Sequence, residues 1–294
     1  MSMVSPNRTI FQSGFTANKN KRRSISLLFW SIAGILLILV LGIVVLILGT
    51  VVYKGLPGLT LTTLMTDTSG IAGGLENAIL GTLVLIVASV VLSGVIGVLG
   101  GTYIAVFARP GIASVLRFAT EVLAGVPSII IGYFGYTVMV VQWGFGYSLL
   151  AAAISLGVLT LPYIVRTTEA SLRQVPKTLY EGGLALGLTQ EATLRKVMFR
   201  PALPGIFTGL LLAISIGLGE TAPLLFTAGW SNFNPTLTLV HNPIAYLTYV
   251  VWTYSQEPYH AAHQLAYTAG LILVLLLLIL NIGVRFLQRG SSQS

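Results

Sequence analysis

Three stretches of this chain carry no charge at all, and their lengths leave few folds open. No Asp, Glu, Lys or Arg occurs between Ser24 and Tyr53, between Asn77 and Ala108, or between Val122 and Val165. A helix needs about 20 apolar residues to cross the hydrocarbon of a bilayer. The first two gaps each hold one crossing. The third is long enough for two, and the polar, glycine-rich Gln142-Trp143-Gly144-Phe145-Gly146 supplies a turn in its middle. Two further apolar runs follow, Pro204 to Leu225, interrupted by Glu220, and Leu265 to Val284. The pattern predicts an all-α polytopic membrane protein with six transmembrane helices, near 25–52, 75–107, 119–141, 148–165, 204–228 and 263–284.

Composition closes the alternatives. Only 8% of residues are charged and 55% are apolar, whereas soluble domains carry about 25% charged residues. Too few charges remain to cover a globule, and the apolar content excludes a disordered chain. The absence of cysteine removes disulfides, thiolate metal ligands and cysteine nucleophiles. A net charge of +8 can signal nucleic acid, but the positions argue otherwise. With both termini cytoplasmic, every Lys and Arg except Lys54 faces the cytoplasm, as the positive-inside rule requires. The basic excess is a topology signal. The first apolar run is far longer than a signal-peptide core and reads as a permanent anchor. Residues 1–24, rich in Ser, Asn and Thr, and the tail 290–294 are expected to be disordered. The membrane domain is then 25–289.

One loop stands apart. Residues 166–203 join the fourth and fifth helices and hold six basic and three acidic residues. Thr178-Leu179-Tyr180-Glu181 begins a short helical run, Gly187-Leu188-Thr189 is a turn, and residues 190–197 read as a second amphipathic helix. Thr189 suits its N-cap, and Glu191 suits its first turn. The segment is either a plain connection or a docking element for a soluble partner.

Intramembrane acids are costly and need a reason. Glu220 falls inside the predicted fifth helix, flanked by Gly217, Gly219 and Pro223, which weaken the local helix. It either lines or gates a solute path or is a carboxyl satisfied within the bundle, the latter including a helix that ends early. No Lys or Arg falls in any predicted span, so a cationic partner must come from a helix end or another chain. A bare carboxylate repels an anionic solute, which favours a gate or salt bridge over direct ligation. Glu121 sits at the start of the predicted third helix, where the helix dipole favours a negative charge. Gly205, Gly209, Ala213, Gly217 and Thr221 recur every four residues, as do Ser89, Ser93, Gly97 and Gly101. Both patterns predict close helix packing, within the chain or against a sister subunit, with a solute path along such a face as the alternative. Trp230, Phe233, His241, Tyr246, Tyr249, Trp252, Tyr254 and Tyr259 read first as an interfacial aromatic belt.

Enzyme motifs are missing. The sequence has no P-loop, HExxH or GxSxG, and no nucleophile beside a base. The three histidines are loosely spaced, without the carboxylates of a metal site. No cofactor and no metal are called for. Any ATP hydrolysis belongs to a partner.

Three segments carry a family likeness. Glu181-Gly182-Gly183, with Gly187 and Val197 at the matching spacing, resembles the EAA coupling motif of ABC importer permeases. The motif's two alanines are glycines here, and its terminal proline position holds Arg200, followed by Pro201. Gly219-Glu220-Thr221-Ala222-Pro223-Leu224-Leu225-Phe226-Thr227-Ala228 and Leu123-Ala124-Gly125-Val126-Pro127-Ser128-Ile129 resemble segments of phosphate-specific permeases of the PstA type. The resemblance implies a type I permease bundle in a bacterial inner membrane. It implies a second permease subunit, two cytoplasmic ATP-binding subunits and an external phosphate-binding protein. It also favours a short re-entrant or surface helix within 244–252. Glu181, Gly182, Gly183, Gly187, Arg195 and Arg200 become candidates for ATPase coupling. Glu220, Thr221, Pro223, Pro127 and Ser128 become candidates for the path or gate. Composition is silent on the solute, so sulfate, molybdate or an ion-coupled carrier are the competing readings.

Overall fold

Why each apolar run becomes a helix, and where it breaks, follows from its prolines, glycines and caps. A computed structural model describes residues 9–70 and 72–291. Helix α1 (Thr9–Gly55) is one uninterrupted rod. It begins well before residue 25, so the backbone is helical over much of the segment expected to be disordered. No proline occurs between Pro6 and Pro57 to stop it. Residues 1–8 lie outside the described residues. From Ile25 to Leu48 its apolar side chains point outward on every face, Leu27, Trp30, Ile38 and Val45 among them. A helix that is apolar all round suits lipid.

The remainder, from Lys54 onward, forms a second unit. Short helix α2 (Leu61–Met65) and a two-stranded hairpin, β1 (Thr68–Ser69) with β2 (Ala72–Gly73), lead into α3 (Glu76–Thr102). Buried Asn77 ties these parts together. Its Oδ1 accepts from the Thr68 hydroxyl at 2.8 Å, and its Nδ2 donates to the Ser231 carbonyl at 2.9 Å.

The predicted third span is not one straight helix. Helix α4 (Pro110–Ala124) and α5 (Ser128–Gly135, extended by a π-helical turn to Gln142) meet at a bend of 93°. Gly125-Val126-Pro127 causes it: Pro127 has no N–H to continue the ladder, and it pushes Val126 out of helical geometry. Helix α6 (Leu149–Gln174) starts on the Ser148 cap, whose hydroxyl accepts from the Ala151 N–H. It runs past the expected end near residue 165. Arg166 and Arg173 are therefore helical residues, and the connection to the next span is far shorter than 166–203.

That connection contains α7 (Lys177–Ala185) and a turn. Helix α8 (Gln190–Thr193), a π turn (Leu194–Met198) and α9 (Phe199–Gly219) then form one continuous helix from Gln190 to Gly219. The amphipathic helix expected within the loop is thus the first part of the fifth span. Helix α10 (Ala222–Thr227) follows a break, α11 (Leu247–Tyr254) is a short buried helix, and α12 (His260–Ser291) closes the chain. Gly290 and Ser291 are helical where disorder was expected; residues 292–294 lie outside the described residues.

Small residues set the packing. A Cβ on Gly97 would stand 2.7 Å from Ile164, and one on Gly101 2.5 Å from the Val165 carbonyl, so α3 lies directly against α6. Along an adjoining stripe of α6, a Cβ on Gly205 or Gly209 would strike Ser171 or Thr167. Ser93 and Thr160 hydroxyls bond across α3 and α6 at 3.2 Å. Both small-residue stripes serve packing within this chain.

Candidate functional site

Two helix breaks meet beside α6. The first is Gly125-Val126-Pro127, after which Pro127 caps α5 with an extended backbone. The second separates α9 from α10. Pro223 would have to donate to the Gly219 carbonyl to continue α9, which it cannot do. It serves instead in the first turn of α10, where no donor is needed. Glu220 is therefore not inside a helix, as predicted, but at its C-terminal end with an extended backbone (φ −76°, ψ 131°). Its N–H returns to the Gly217 carbonyl at 3.2 Å, and its own carbonyl accepts from the Thr248 hydroxyl at 3.0 Å. Thr221 bridges to α10 and accepts from the Leu225 N–H at 3.0 Å.

The breaks are neighbours in space. The Ser128 side chain interacts with the Glu220 carboxylate. A Cβ on Gly132 would lie 2.7 Å from the Pro223 Cα and 3.0 Å from the Ala222 carbonyl, so α5 and α10 touch backbone to backbone. Of the five residues singled out for a path, the fold joins Ser128 to Glu220 directly and leaves Pro127, Thr221 and Pro223 as the residues that make the two breaks. Partly buried, Glu220 has no cation among the ion pairs of the described residues.

The candidate coupling residues form a knob at the far end of α9. Gly187 has φ +81°, a left-handed conformation open to glycine. Gly187 N–H bonds the Leu184 carbonyl at 2.9 Å, and Leu188 N–H bonds the Gly183 carbonyl at 3.2 Å, the Schellman pattern that ends a helix. Thr189 caps α8 as its sequence suggested, its hydroxyl accepting from the Ala192 N–H at 3.2 Å, with Glu191 in the first turn. Gly183 is buried, and a Cβ there would stand 2.7 Å from the Thr193 Cγ2. Leu172, Val175, Met198, Ala202 and Ile206 make the apolar seat on which Tyr180, Leu194 and Phe199 rest. Glu181, Gly182, Arg195 and Arg200 are exposed on the knob, and Leu186 beside them is 85% exposed.

An ionic cluster escaped the sequence reading. Buried Glu169 on α6 accepts from Arg117 Nε at 2.7 Å and from Arg173 Nε at 2.8 Å. Arg166 Nη2 reaches Glu121 Oε1 at 3.0 Å. Arg117, Arg166 and Arg173 all lie on bundle helices, because α4 starts earlier and α6 ends later than predicted. Glu121 occupies the last turn of α4, not the first turn of a helix. There the dipole disfavours it, and Arg166 supplies the compensation. The Arg166, Glu169, Arg173 spacing of three and four residues was the available signal.

The aromatic belt is only partly superficial. Trp230 stacks on Tyr249 with centroids 4.4 Å apart, and Tyr246 and Tyr254 are buried, while Phe233, Trp252 and Tyr259 are exposed.

Membrane-length helices, two facing breaks and an exposed helical knob make the architecture of a polytopic transport permease. Residues 97–293 match the family model described as binding-protein-dependent transport system inner membrane component. Phosphate transport system permease protein PstA 2 of Mycobacterium bovis is 42% identical over 260 residues, 88% of this chain and 86% of that protein. PstA of Xylella fastidiosa is 36% identical over 81% of this chain and 83% of its own. Among solved structures, the inward-facing methionine ABC transporter MetNI matches with a TM-score of 0.61 at 22% identity, covering 74% of this chain and 95% of that one. The chain belongs to the family of binding-protein-dependent transport system inner membrane components, in its PstA branch. Its role is that of a permease component, which is not itself catalytic.

Proposed function

We propose that this chain is the phosphate-conducting permease subunit of an ATP-driven importer in a bacterial inner membrane. The observation that carries the proposal is the identity with PstA proteins along most of both chains, which spans the knob and both helix breaks. The chain pairs with a second permease subunit, forms half of the path, and works with two cytoplasmic ATP-binding subunits and an external phosphate-binding protein. Both termini face the cytoplasm, a reading supported by the distribution of Lys and Arg.

Glu181, Gly182, Gly187, Arg195 and Arg200 form the coupling surface, and buried Gly183 seats it against Thr193. Exposed Leu186 supports this, because an apolar side chain presented outside the spans is suited to a protein partner. The ATP-binding subunits close on ATP and push the knob. The thrust enters the helix from Gln190 to Gly219, 30 residues or about 45 Å long. It arrives at Glu220, where the helix ends beside Ser128. Pro127, Ser128, Glu220, Thr221 and Pro223 then line or gate the path. Glu220 acts by holding and releasing neighbours rather than by ligating phosphate, since like charges repel.

The test is uptake of labelled phosphate by right-side-out vesicles carrying the assembled importer, with and without internal ATP, against excess sulfate or molybdate. ATP-dependent uptake that resists both competitors and is lost in Glu181→Ala is expected. Uptake that follows a proton or sodium gradient and ignores ATP would overturn the proposal. Suppression by either competitor would transfer it to that oxyanion.

A further inference from the structure

The end of α9 is held from outside by a segment that no motif marks. Thr248, in the first turn of α11, donates its hydroxyl to the Glu220 carbonyl at 3.0 Å. The Leu247 N–H donates to the Thr82 hydroxyl of α3 at 2.9 Å. Gly81 of α3 admits the Ala245 carbonyl so closely that a Cβ would stand 2.0 Å from it. Residues 245–248 are thus wedged between α3 and the break, with one hydrogen bond on each side.

Tyr246 sits in the middle of this wedge and is 1% exposed. Its hydroxyl has no hydrogen-bond partner among the described residues. It lines a cavity of about 10 Å³ together with Thr82, Thr248 and Glu220. That is room for about one water. A buried hydroxyl without a partner destabilises the state that contains it. Phenylalanine would fill the same space without that cost, so packing alone does not account for a tyrosine here. A phenol can donate to a carboxylate without bringing a second charge into the membrane.

We propose that Tyr246 and Thr248 are positioning residues for the Glu220 gate. Thr248 fixes the Glu220 backbone in the state described here, and the Tyr246 hydroxyl receives the Glu220 carboxylate across the shared cavity when the break rearranges. The inference rests on the reading of Glu220 as the gate.

The experiment pairs two readouts on the assembled importer: ATP-driven uptake of labelled phosphate and thermal unfolding of the purified complex. Tyr246→Phe is expected to unfold at the same or a higher temperature than the natural chain while its uptake falls at least tenfold. Thr248→Val is expected to lower uptake, and Thr248→Ser to restore it. Three results would overturn the inference. One is Tyr246→Phe uptake within twofold of the natural chain. Another is a loss of uptake that comes with a lower unfolding temperature, which makes the hydroxyl an ordinary structural bond. The third is a Thr248→Ser variant no better than Thr248→Val. Glu220→Gln separates the two layers. If it transports normally, the gate reading itself fails. If it is inactive while Tyr246→Phe is active, only the positioning role fails.

Discussion

At the scale of single residues, conformation and charge decide more than identity. Gly187 holds φ +81° where the knob turns. A β-branched residue there is strained by about 1–3 kcal/mol. Gly187→Val is expected to leave the complex assembled and hydrolysing ATP while phosphate uptake falls. Undiminished uptake would remove Gly187 from the coupling route. Glu169 makes a different case. Its two arginine partners are 38% and 52% exposed, while its own side chain is 10% exposed. Glu169→Gln therefore falls between a surface pair, worth about 0–1 kcal/mol, and a broken buried pair, worth about 3–5 kcal/mol. A loss of about 1–3 kcal/mol is expected in thermal or denaturant unfolding, shrinking as salt is raised. An unchanged midpoint at low salt would show the cluster to be passive. The sequence disclosed the Thr189 cap because capping is local. It hid Glu169, and it misassigned Glu121, because those roles depend on which helix end lies next to which.

Among helices, the charge-free gaps located the spans because hydrocarbon length imposes them. The bend at Gly125–Pro127 and the stop at Gly219 were written in the same residues, Pro127 and Pro223, but a proline alone does not say how sharply the chain turns. Bend angle is fixed by what packs on either side, here Gly132 against Pro223. The supposed loop of 166–203 was misjudged for a related reason: charges on the ends of α6 and α9 read as loop, though helices carry them beyond the hydrocarbon. Packing by small residues was legible, and it gives a paired prediction. On α3, a Cβ on Gly101 meets the Val165 backbone at 2.5 Å, whereas one on Gly100 meets the Val165 Cγ2 at an ordinary 3.7 Å. Gly101→Ala is expected to cost about 1–3 kcal/mol in unfolding of the purified protein. Gly100→Ala is expected to be neutral or to stabilise by up to about 1 kcal/mol through helix propensity. Equal effects would contradict the close approach of α3 and α6.

For the whole molecule, the natural absence of cysteine makes orientation directly measurable. Leu186 is 85% exposed on the knob and Phe233 is 77% exposed in the segment between α10 and α11. Leu186→Cys is expected to react with an impermeant thiol reagent only in inverted vesicles, and Phe233→Cys only in right-side-out ones. The opposite pattern would reverse the membrane orientation argued from the basic residues. The succession of apolar spans was legible because hydrocarbon length acts on the whole chain. The pairing of distant breaks was not, since Ser128 and Glu220 are brought together only by the packing of α5 and α10.

The uninterrupted helix from Gln190 to Gly219 also sets a rule about length. Its two ends are fixed in rotational phase, at about 100° per residue. A single inserted or deleted residue between them would swing the Glu220 end about a quarter-turn relative to the knob, changing which neighbours it faces while every side chain on either end stays the same. The spacing between the two sites is thus itself an inherited quantity, as binding on the protein as the identity of the residues it separates.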